Sequence, residues 1–377
     1  MTTFAPSRVA RTAPATTPRL PALRHLGPNW YASIMGTAMV ANAGATLPYQ
    51  PPGLRELSTT VWALSAVALA VLLVARAGHW LHHRDQARAH LLDPTVAPFY
   101  GCLAMALLAV GGGALLAGRD LIGTTAAVAV DAVLFTAGTT VALFVAAAVP
   151  YLMITRHTIR MSAASPVWLL PVVAPMVSAA LGPLLIPHLP TGQARLGMLF
   201  ACYALFGMSV LATAVMLPMI FFRLLSEGPL PPVLTPSLLL VLGPLGQSVT
   251  AVNALGGLAA EAGLPQPHAG SLEAFGVVYG VPVLGFALLW LALAGALTAC
   301  AARAGMGFAM TWWAFTFPVG TCVTAAGALA GHTGLTAFQW LAAALFLVLT
   351  MAWATAACHT LGGLRSGELL AAPRKAA

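Results

Sequence analysis

One apolar stretch of this sequence combines paired tryptophans, a central proline and several hydroxyl side chains. It runs from Thr311 to Thr324 and reads TWWAFTFPVGTCVT. Proline removes a backbone donor and clashes with the carbonyl four residues back, so we expect a membrane helix to bend at Pro318 and expose backbone polarity. Such polarity is tolerated within a membrane only beside protein or water. The stretch therefore predicts a helix that faces the protein interior, with Phe317 as its bulky side chain and neutral hydroxyls around it.

Similar interruptions recur in alternate apolar segments of the chain. If Gly36, Gly101, Pro175, Gly246 and Gly320 are equivalent, the successive spacings are 65, 74, 71 and 74 residues. Each spacing accommodates one antiparallel helix pair with its loops, so the sequence predicts five helical hairpins in series. The interruptions fall in one alternate set, which predicts an inner ring of five broken helices and five smoother helices outside, against lipid.

The positions around these interruptions give a predicted pore lining. Three residues before the interruptions, Phe317 is the one bulky aromatic, so we predict that it plugs the pore, because hydrophobic constrictions block ions by dewetting. Hydroxyls, amides and kinked backbone without a ring of cations would suit weakly hydrated anions. The alternative is that the Ser and Thr side chains bond neighbouring helices. The predicted lining residues are Ser33, Gly36, Thr37, Gly101, Val172, Pro175, Gly243, Gly246, Gln247, Pro318, Gly320 and Thr321.

The composition indicates a polytopic membrane protein. The 377 residues are 59% hydrophobic and 7% charged, with a mean hydropathy of +0.88, and these values exclude a soluble globular protein. We predict an all-α integral membrane fold with ten transmembrane helices, arranged as five hairpins around a central pore. Residues 1–25 are predicted as a disordered cytoplasmic tail, 26–362 as the transmembrane domain and 363–377 as a cytoplasmic C-terminal tail. The predicted spans are approximately 29–47, 58–76, 97–117, 123–150, 165–187, 196–223, 236–260, 272–300, 308–331 and 335–361.

The distribution of positive charge predicts the orientation. Fourteen of the 17 Lys and Arg residues lie in the two tails and in alternate loops, whereas Arg55, Arg119 and Arg195 lie on the opposite side. By the positive-inside rule this asymmetry places both termini in the cytoplasm, in a protein of the cell membrane. The charges are dispersed over short loops, so topology explains them better than binding of nucleic acid does.

The remaining polar residues leave two further interpretations open. Asp131 is the only carboxylate well inside a predicted span, and we consider both a proton relay and a neutral structural aspartate. Four histidines in the loop after the second span resemble a metal-binding pattern but lack a partner carboxylate at clear spacing, so a solvated or headgroup role is favoured. The five cysteines occur singly, and no metal site or cofactor is predicted. The histidines are His79, His82, His83 and His90.

Three motifs resemble those of a known family. They are PNWYASIMGTAMVANAGATLP (28–48), GPLGQSVTAVNALG (243–256) and WWAFTFPVG (312–320), and they resemble the tellurite-resistance/dicarboxylate transporter family. That family includes bacterial tellurite-resistance proteins, fungal malate and sulfite transporters and plant slow anion channels. The resemblance implies a ten-helix bundle of five hairpins around a central pore, often trimeric, with an aromatic plug in the ninth helix that corresponds to Phe317. The family's substrates differ, and the predicted pore has no cationic residue that would mark a dicarboxylate clamp.

The expected function is therefore transport of small anions across a membrane by a homotrimer, through a pore closed at Phe317. Candidate substrates are C4-dicarboxylates such as malate, sulfite and inorganic anions. Two alternatives remain open, namely a proton-coupled C4-dicarboxylate carrier and a receptor or scaffold that transports nothing. An enzyme is the least expected class, because no nucleophile, base and orienting group can be assembled from the spans.

Overall fold

The computed structural model describes residues 23–371, which fold as a bundle of helices. This part of the chain contains twelve α-helices and no β-strand. The helices are α1 (Tyr31–Ala45), α2 (Leu54–His82), α3 (Arg84–Leu92), α4 (Tyr100–Gly113), α5 (Arg119–Ile122), α6 (Thr124–Arg156), α7 (Leu169–Leu181), α8 (Gln193–Glu227), α9 (Leu242–Leu258), α10 (His268–Arg303), α11 (Phe317–Thr333) and α12 (Thr336–Arg365).

The helix lengths agree with an integral membrane protein. Between residues 23 and 371, nine helical segments are long and apolar enough to cross a membrane, which confirms the predicted all-α membrane fold. The first predicted span corresponds to α1 and a short turn before it, and this segment is shorter than the others, so the count of ten stays a prediction. Most of the two predicted tails, 1–22 and 372–377, lies outside the described residues. Helix α12 continues to Arg365, three residues past the predicted end of the membrane domain at 362.

Alternate helices form two concentric layers. The spans that contain α4, α7, α9 and α11 are 72% to 89% buried, whereas those of α2, α6, α8, α10 and α12 are only 22% to 33% buried. Helix α1 is also almost entirely buried. Contacts run from α1 to α4, α7, α9 and α11 in turn, and α11 contacts α1, so these five helices close a ring. Each outer helix packs against the inner helix before it in the chain, which gives five hairpins.

A 3₁₀ segment precedes each inner helix. The segment before α11 is Met310–Phe315, and it is separated from α11 by Thr316, whose backbone torsions are φ −98° and ψ −81°. Pro318 thus occupies the first turn of α11, where a missing backbone N–H breaks no helical hydrogen bond. The predicted bend at Pro318 is a junction between two helical segments, located two residues earlier. The segment Met310–Phe315 has no proline, whereas the other four 3₁₀ segments each carry one in their first positions, at Pro28, Pro98, Pro166 and Pro232.

Side chains of α2 and α3 hold the start of the described chain. The buried Arg76 guanidinium donates a hydrogen bond to the carbonyl oxygen of Leu26, and Nδ1 of His79 lies 2.8 Å from the carbonyl oxygen of Leu23. His79 and His83 are both buried, so the solvated role predicted for the histidines fails for these two. Among residues 23–371, no group of three or more His, Cys, Asp and Glu side chains could hold a metal ion.

His90 in α3 is a titratable group of this region. Its ring stacks on that of His79 with centroids 5.4 Å apart, and its Nδ1 is buried without a hydrogen-bond partner among residues 23–371. Burial lowers the pKa of His90 to about 4, and the positive charges of His79, Arg76 and His25 act in the same direction, whereas Asp93 opposes them. The folded protein therefore favours the neutral imidazole.

Stability should consequently depend on pH through His90. The pKa of His90 in the folded protein lies below the unfolded value near 6.5. The contribution of neutral His90 to the free energy of unfolding is therefore complete above pH 6.5 and decreases as the pH falls towards 4. We expect the thermal unfolding midpoint of the purified protein to drop between about pH 7 and about pH 5. His90→Phe keeps a ring on His79 without the titration, so its midpoint should drop less. Scanning fluorimetry in detergent measures this difference, and equal pH dependence in both proteins would contradict the assignment.

Candidate functional site

Three cavities lie along the axis of the inner ring, and all five inner segments line each of them. The distal cavity, at the C-terminal ends of the inner helices, has a volume of about 270 Å³. The middle cavity, of about 10 Å³, and the proximal cavity, of about 20 Å³, follow towards the starts of the inner helices. Representative residues of the distal cavity, one from each inner helix, are Asn42, Ala109, Ala180, Gln247 and Thr324.

Phe317 lies where the distal and middle cavities meet. It lines both of them and is only 2% exposed. Met35, Leu170 and Leu240 line both the middle and the proximal cavities, so an apolar layer continues from Phe317 towards the helix starts. Cavities of such small volume hold at most about one water molecule. The closed part of the axis is thus Phe317 together with this layer.

Three of the predicted lining residues also lie on these cavities. Gly243 and Pro318 line the middle cavity beside Phe317, and Gln247 lines the distal cavity. Of the atoms that the structure describes, a Cβ atom added at Gly243 would meet only Val173 Cγ1, at 3.8 Å. The absence of a side chain at Gly243 therefore leaves space next to the Phe317 ring.

The four other predicted glycines lie where neighbouring inner helices approach closely. A Cβ atom at Gly101 would lie 2.4 Å from the carbonyl oxygen of Leu170, and one at Gly246 would lie 2.5 Å from the backbone carbonyl carbon of Thr321. Small residues of this kind allow helix backbones to pack closely within a membrane. The four pairs are Gly36 with Thr316, Gly101 with Leu170, Gly246 with Thr321, and Gly320 with Met39.

The remaining predicted lining residues contact neighbouring helices or their own helix. Pro175 is buried within α7. The hydroxyl of Thr37 accepts a hydrogen bond from Trp353 of α12, and that of Thr321 donates to the carbonyl oxygen of Leu242 in α9.

Successive residues of a helix are about 100° apart, so Ala32 and Met35 line the cavities while Ser33 lies off that face. The hydroxyl of Ser33 donates a hydrogen bond to the carbonyl oxygen of Trp30 at 2.7 Å. The carbonyl oxygen of Val172, the last residue of this set, accepts a hydrogen bond from the hydroxyl of Ser209 in α8 at 2.6 Å.

The sequence prediction missed the apolar layer of Met35, Leu170 and Leu240. The signal that could have found it is helical spacing. Along α1 and its C-cap residue Thr46, the cavity-lining residues recur at intervals of three and four, as expected for one face of a helix. Those residues are Ala32, Met35, Met39, Asn42 and Thr46.

Most polar groups that line the distal cavity are hydroxyls and amides, which are neutral dipoles. The hydroxyls of Thr250 and Thr324 lie 2.8 Å apart, and the amide of Asn42 donates to the carbonyl oxygen of Ala109 at 2.9 Å. The half-buried ring of His332 lies on the same lining. Within the part of the chain that the structure describes, no Lys, Arg, Asp or Glu lines any of the three cavities. Neutral donors of this kind can solvate an anion without holding it in a tight ion pair.

Asp131 lies away from these cavities, between α6 and α4. Its residue is 1% exposed, and both carboxyl oxygens are buried without a hydrogen-bond partner among the described residues. A Cβ atom added at Gly111 of α4 would lie 2.8 Å from Asp131 Oδ1. The carboxyl group therefore packs against the backbone of an inner helix from the outer layer.

Known proteins are similar to this chain along most of its length. A family model described as voltage-dependent anion channel matches residues 25–361. The sulfite efflux pump SSU1 of Trichophyton rubrum is 28% identical over 276 residues, which cover 72% of this chain and 73% of the relative, and that of Arthroderma benhamiae gives the same values. An uncharacterized transporter of Methanocaldococcus jannaschii is 24% identical over 234 residues, covering 62% of this chain and 65% of the relative.

These relatives are channels and transporters, and they support anion transport by a multi-pass membrane protein. The resemblance predicted from the three sequence motifs is thereby confirmed. The match extends from the segment before α1 to residue 361, within the last turns of α12, so it includes every helix of the ring and nearly all of its outer layer. The chain belongs to the voltage-dependent anion channel family.

Proposed function

We propose that this protein carries small anions across the cell membrane along the axis of its inner ring, with Phe317 as the gate. The observation that carries this proposal is the row of three cavities, each lined by all five inner segments and interrupted at Phe317. An anion that follows this route meets hydroxyl and amide dipoles in the distal cavity and an apolar barrier beyond it. Apolar constrictions of this kind stop ions by excluding the water that must accompany them.

Opening requires the Phe317 ring to leave the axis. Phe317 is the first residue of α11, next to the irregular backbone of Thr316, so a small change at this junction would move the ring. Gly243 leaves open space on the neighbouring inner helix, α9. Met35, Leu170 and Leu240 would have to separate as well, because they close the axis on the proximal side of the gate.

Sulfite is our first candidate substrate. The relatives named sulfite efflux pump supply this candidate, and the neutral lining of the cavities is compatible with it. Inorganic monovalent anions suit the same lining. Malate and other C4-dicarboxylates carry two negative charges and suit it less well, because the described cavity walls offer no Lys or Arg to pair with them.

We further propose that both termini are cytoplasmic and that the protein is a homotrimer. Two contacts support a common side for the chain ends. His79 near the end of α2 binds the carbonyl of Leu23, and His359 near the end of α12 stacks on Phe308, just before the last inner segment. The excess of Lys and Arg on that side supports the cytoplasm. The trimer rests on the family resemblance.

The proposed activity can be tested in proteoliposomes loaded with sodium sulfite. Vesicles that contain the protein should release sulfite faster than protein-free vesicles, with a rate that depends on an imposed membrane potential. Chloride, nitrate and malate should be compared in the same assay. Protein that is folded by size-exclusion chromatography and releases none of these anions at any potential or pH would contradict the proposal and favour a receptor or scaffold.

A second candidate is a proton-coupled carrier, and the burial of Asp131 favours it. A carboxyl group without partners in a membrane interior costs roughly 2.5–3.5 kcal/mol on insertion scales, and such groups often carry protons. If transport is coupled through Asp131, sulfite uptake should respond to a pH difference in the parent and lose that response in Asp131→Asn. The same response in both proteins would exclude this residue as the relay.

A further inference from the structure

We propose that Gln247 is the anion-binding residue of the distal cavity and that its site takes a small oxyanion. The site lies directly beyond Phe317, since both residues line this cavity. This inference rests on the proposed function, because it names the group that receives the anion along the same axis. The two roles differ, because Gln247 would bind the anion whereas Phe317 would block its passage.

The distal cavity has the size of a binding site for such an anion. Its volume of about 270 Å³ exceeds the roughly 30 Å³ that one water molecule occupies in the liquid several times over. An oxyanion with a few oxygen atoms fits together with part of its hydration shell. Side chains from all five inner helices line this space, so the ligand would contact several helices at once.

Gln247 has a polar group that the protein leaves without a partner. The residue is only 4% exposed, and its side-chain amide makes no hydrogen bond to any described residue. Its amide atoms are not sealed inside the protein, so they face the space of the distal cavity. The amide NH₂ group carries two donors, which an anion with several oxygen atoms can accept. The geometry thus leaves a donor for a ligand that enters the cavity.

The neighbouring hydroxyls can turn towards the same ligand. Thr250 follows Gln247 by three residues on α9, which puts both side chains on one face of the helix. Its hydroxyl lies 2.8 Å from that of Thr324 and 3.1 Å from the carbonyl oxygen of Gly246. A hydroxyl with alternative acceptors rotates at little cost, so Thr250 and Thr324 can supplement the Gln247 donors.

Asn42, the other amide of this lining, is already committed to the fold. Its Nδ2 donates to the carbonyl oxygen of Ala109 at 2.9 Å. Its Oδ1 packs so closely on Gly113 that a Cβ atom there would lie 2.6 Å away. The amide group thus packs on α4, and its Oδ1, which has no partner among the described residues, is an acceptor that an anion cannot use. Gln247 is therefore the amide that can bind a ligand without breaking a contact of the protein.

The strength of such a site suits transport. Hydrogen bonds from neutral donors to a charged acceptor are stronger than those between neutral groups, yet weaker than an ion pair excluded from water. A site on a conduction route must bind well enough to attract the ion and weakly enough to release it. A lysine or arginine at position 247 would favour retention, whereas a glutamine allows passage.

The test measures binding of sodium sulfite to purified, detergent-solubilised protein by isothermal titration calorimetry. Gln247→Leu keeps a side chain of similar size without the amide, and it should weaken sulfite binding about tenfold or more, because it removes donors to a charged ligand. Gln247→Glu has nearly the same shape and places an acceptor or a negative charge at the site, so it should also weaken binding. Gln193→Glu is the matched control, since this exposed residue opens α8, where a carboxylate is favourable.

Each outcome decides the inference. Weaker binding in both Gln247 variants with unchanged binding in Gln193→Glu supports the site, provided the unliganded variants keep the unfolding midpoint of the parent. Parent affinity in Gln247→Leu overturns it, and so does an unchanged half-saturation concentration for sulfite flux. If the parent binds sulfite through Gln247 but releases no anion from vesicles, the binding site stands and the proposed transport function fails. A parent that neither binds nor carries sulfite overturns both.

Discussion

Replacing Phe317 with alanine should raise the rate of sulfite release from proteoliposomes about tenfold or more. The ring of Phe317 lies between the distal and middle cavities, so its removal would join them into one space that water can enter. A tenfold rate corresponds to a barrier lowered by about 1.4 kcal/mol, a modest part of what an apolar constriction imposes on an ion. The apolar layer beyond the middle cavity would still limit the flux.

Phe315→Ala is the matched control for this change. Phe315 lies two residues earlier, and its ring packs edge-on against Trp312 with centroids 5.8 Å apart. The same atoms are removed from a nearby position, so an effect of general loosening should appear in both variants. We expect the parent rate for Phe315→Ala. Equal rates for Phe317→Ala and the parent, with both proteins folded, would count against the gate.

Gly246→Ala should destabilise the protein strongly. An added Cβ atom would lie 2.5 Å from the backbone carbonyl carbon of Thr321 and 2.4 Å from its hydroxyl oxygen. Helices α9 and α11 would have to separate, and the hydrogen bond from Thr321 to the carbonyl of Leu242 would weaken. Overpacking of this kind costs about 1–3 kcal/mol or more, so the unfolding midpoint should fall by several degrees.

Gly207→Ala provides the comparison for that prediction. Gly207 lies inside the outer helix α8, and an added Cβ atom there would meet no atom of the described chain within 4 Å. The same substitution should therefore be neutral or slightly stabilising, because alanine is the better helix former. Scanning fluorimetry of the two variants and the parent compares them directly. Similar midpoints for Gly246→Ala and Gly207→Ala would show that the ring tolerates separation of α9 and α11.

The sequence predicts the two-layer arrangement well because burial and composition are linked in a membrane. Inner helices need small residues and prolines where backbones meet or helices begin, whereas outer helices need continuous apolar surface. This difference assigns α4, α7, α9 and α11 to the inner layer, and the structure agrees. Proline content alone does not distinguish the two layers, because the outer helices α6, α8 and α10 each contain one proline and remain continuous.

The rotation of the individual helices is harder to predict. The glycines chosen as equivalents lie on the flanks of their helices, where neighbours in the ring approach, so they are poor markers of the face towards the axis. Phe317 and Gly243 hold equivalent positions in α11 and α9, and both line the middle cavity, whereas Gln247 lines the distal cavity although its counterpart Thr321 bonds to Leu242. In α1 the same register selects Ser33 instead of Met35, and an error of two residues rotates the chosen face by about 200°.

The histidine environments also depend on contacts between distant parts of the chain. His79 is buried because the segment at Leu23 folds over it, 56 residues away in sequence. Local sequence alone suggests a polar loop at this point. Contacts between residues so far apart in sequence can be identified only in the complete fold. The same holds for the Gln247 amide, because its lack of a partner among the described residues depends on the side chains that the other four inner helices place around it.

The central claim is that anions cross at the level of Phe317, and a compensating substitution tests it most directly. Gly243 has space beside Phe317, so Gly243→Phe should place a new ring on the axis from the neighbouring helix α9. Sulfite flux should rise in Phe317→Ala and return close to the parent rate in the double variant Phe317→Ala/Gly243→Phe. Flux that stays at the Phe317→Ala level in a folded double variant would contradict a route along this axis.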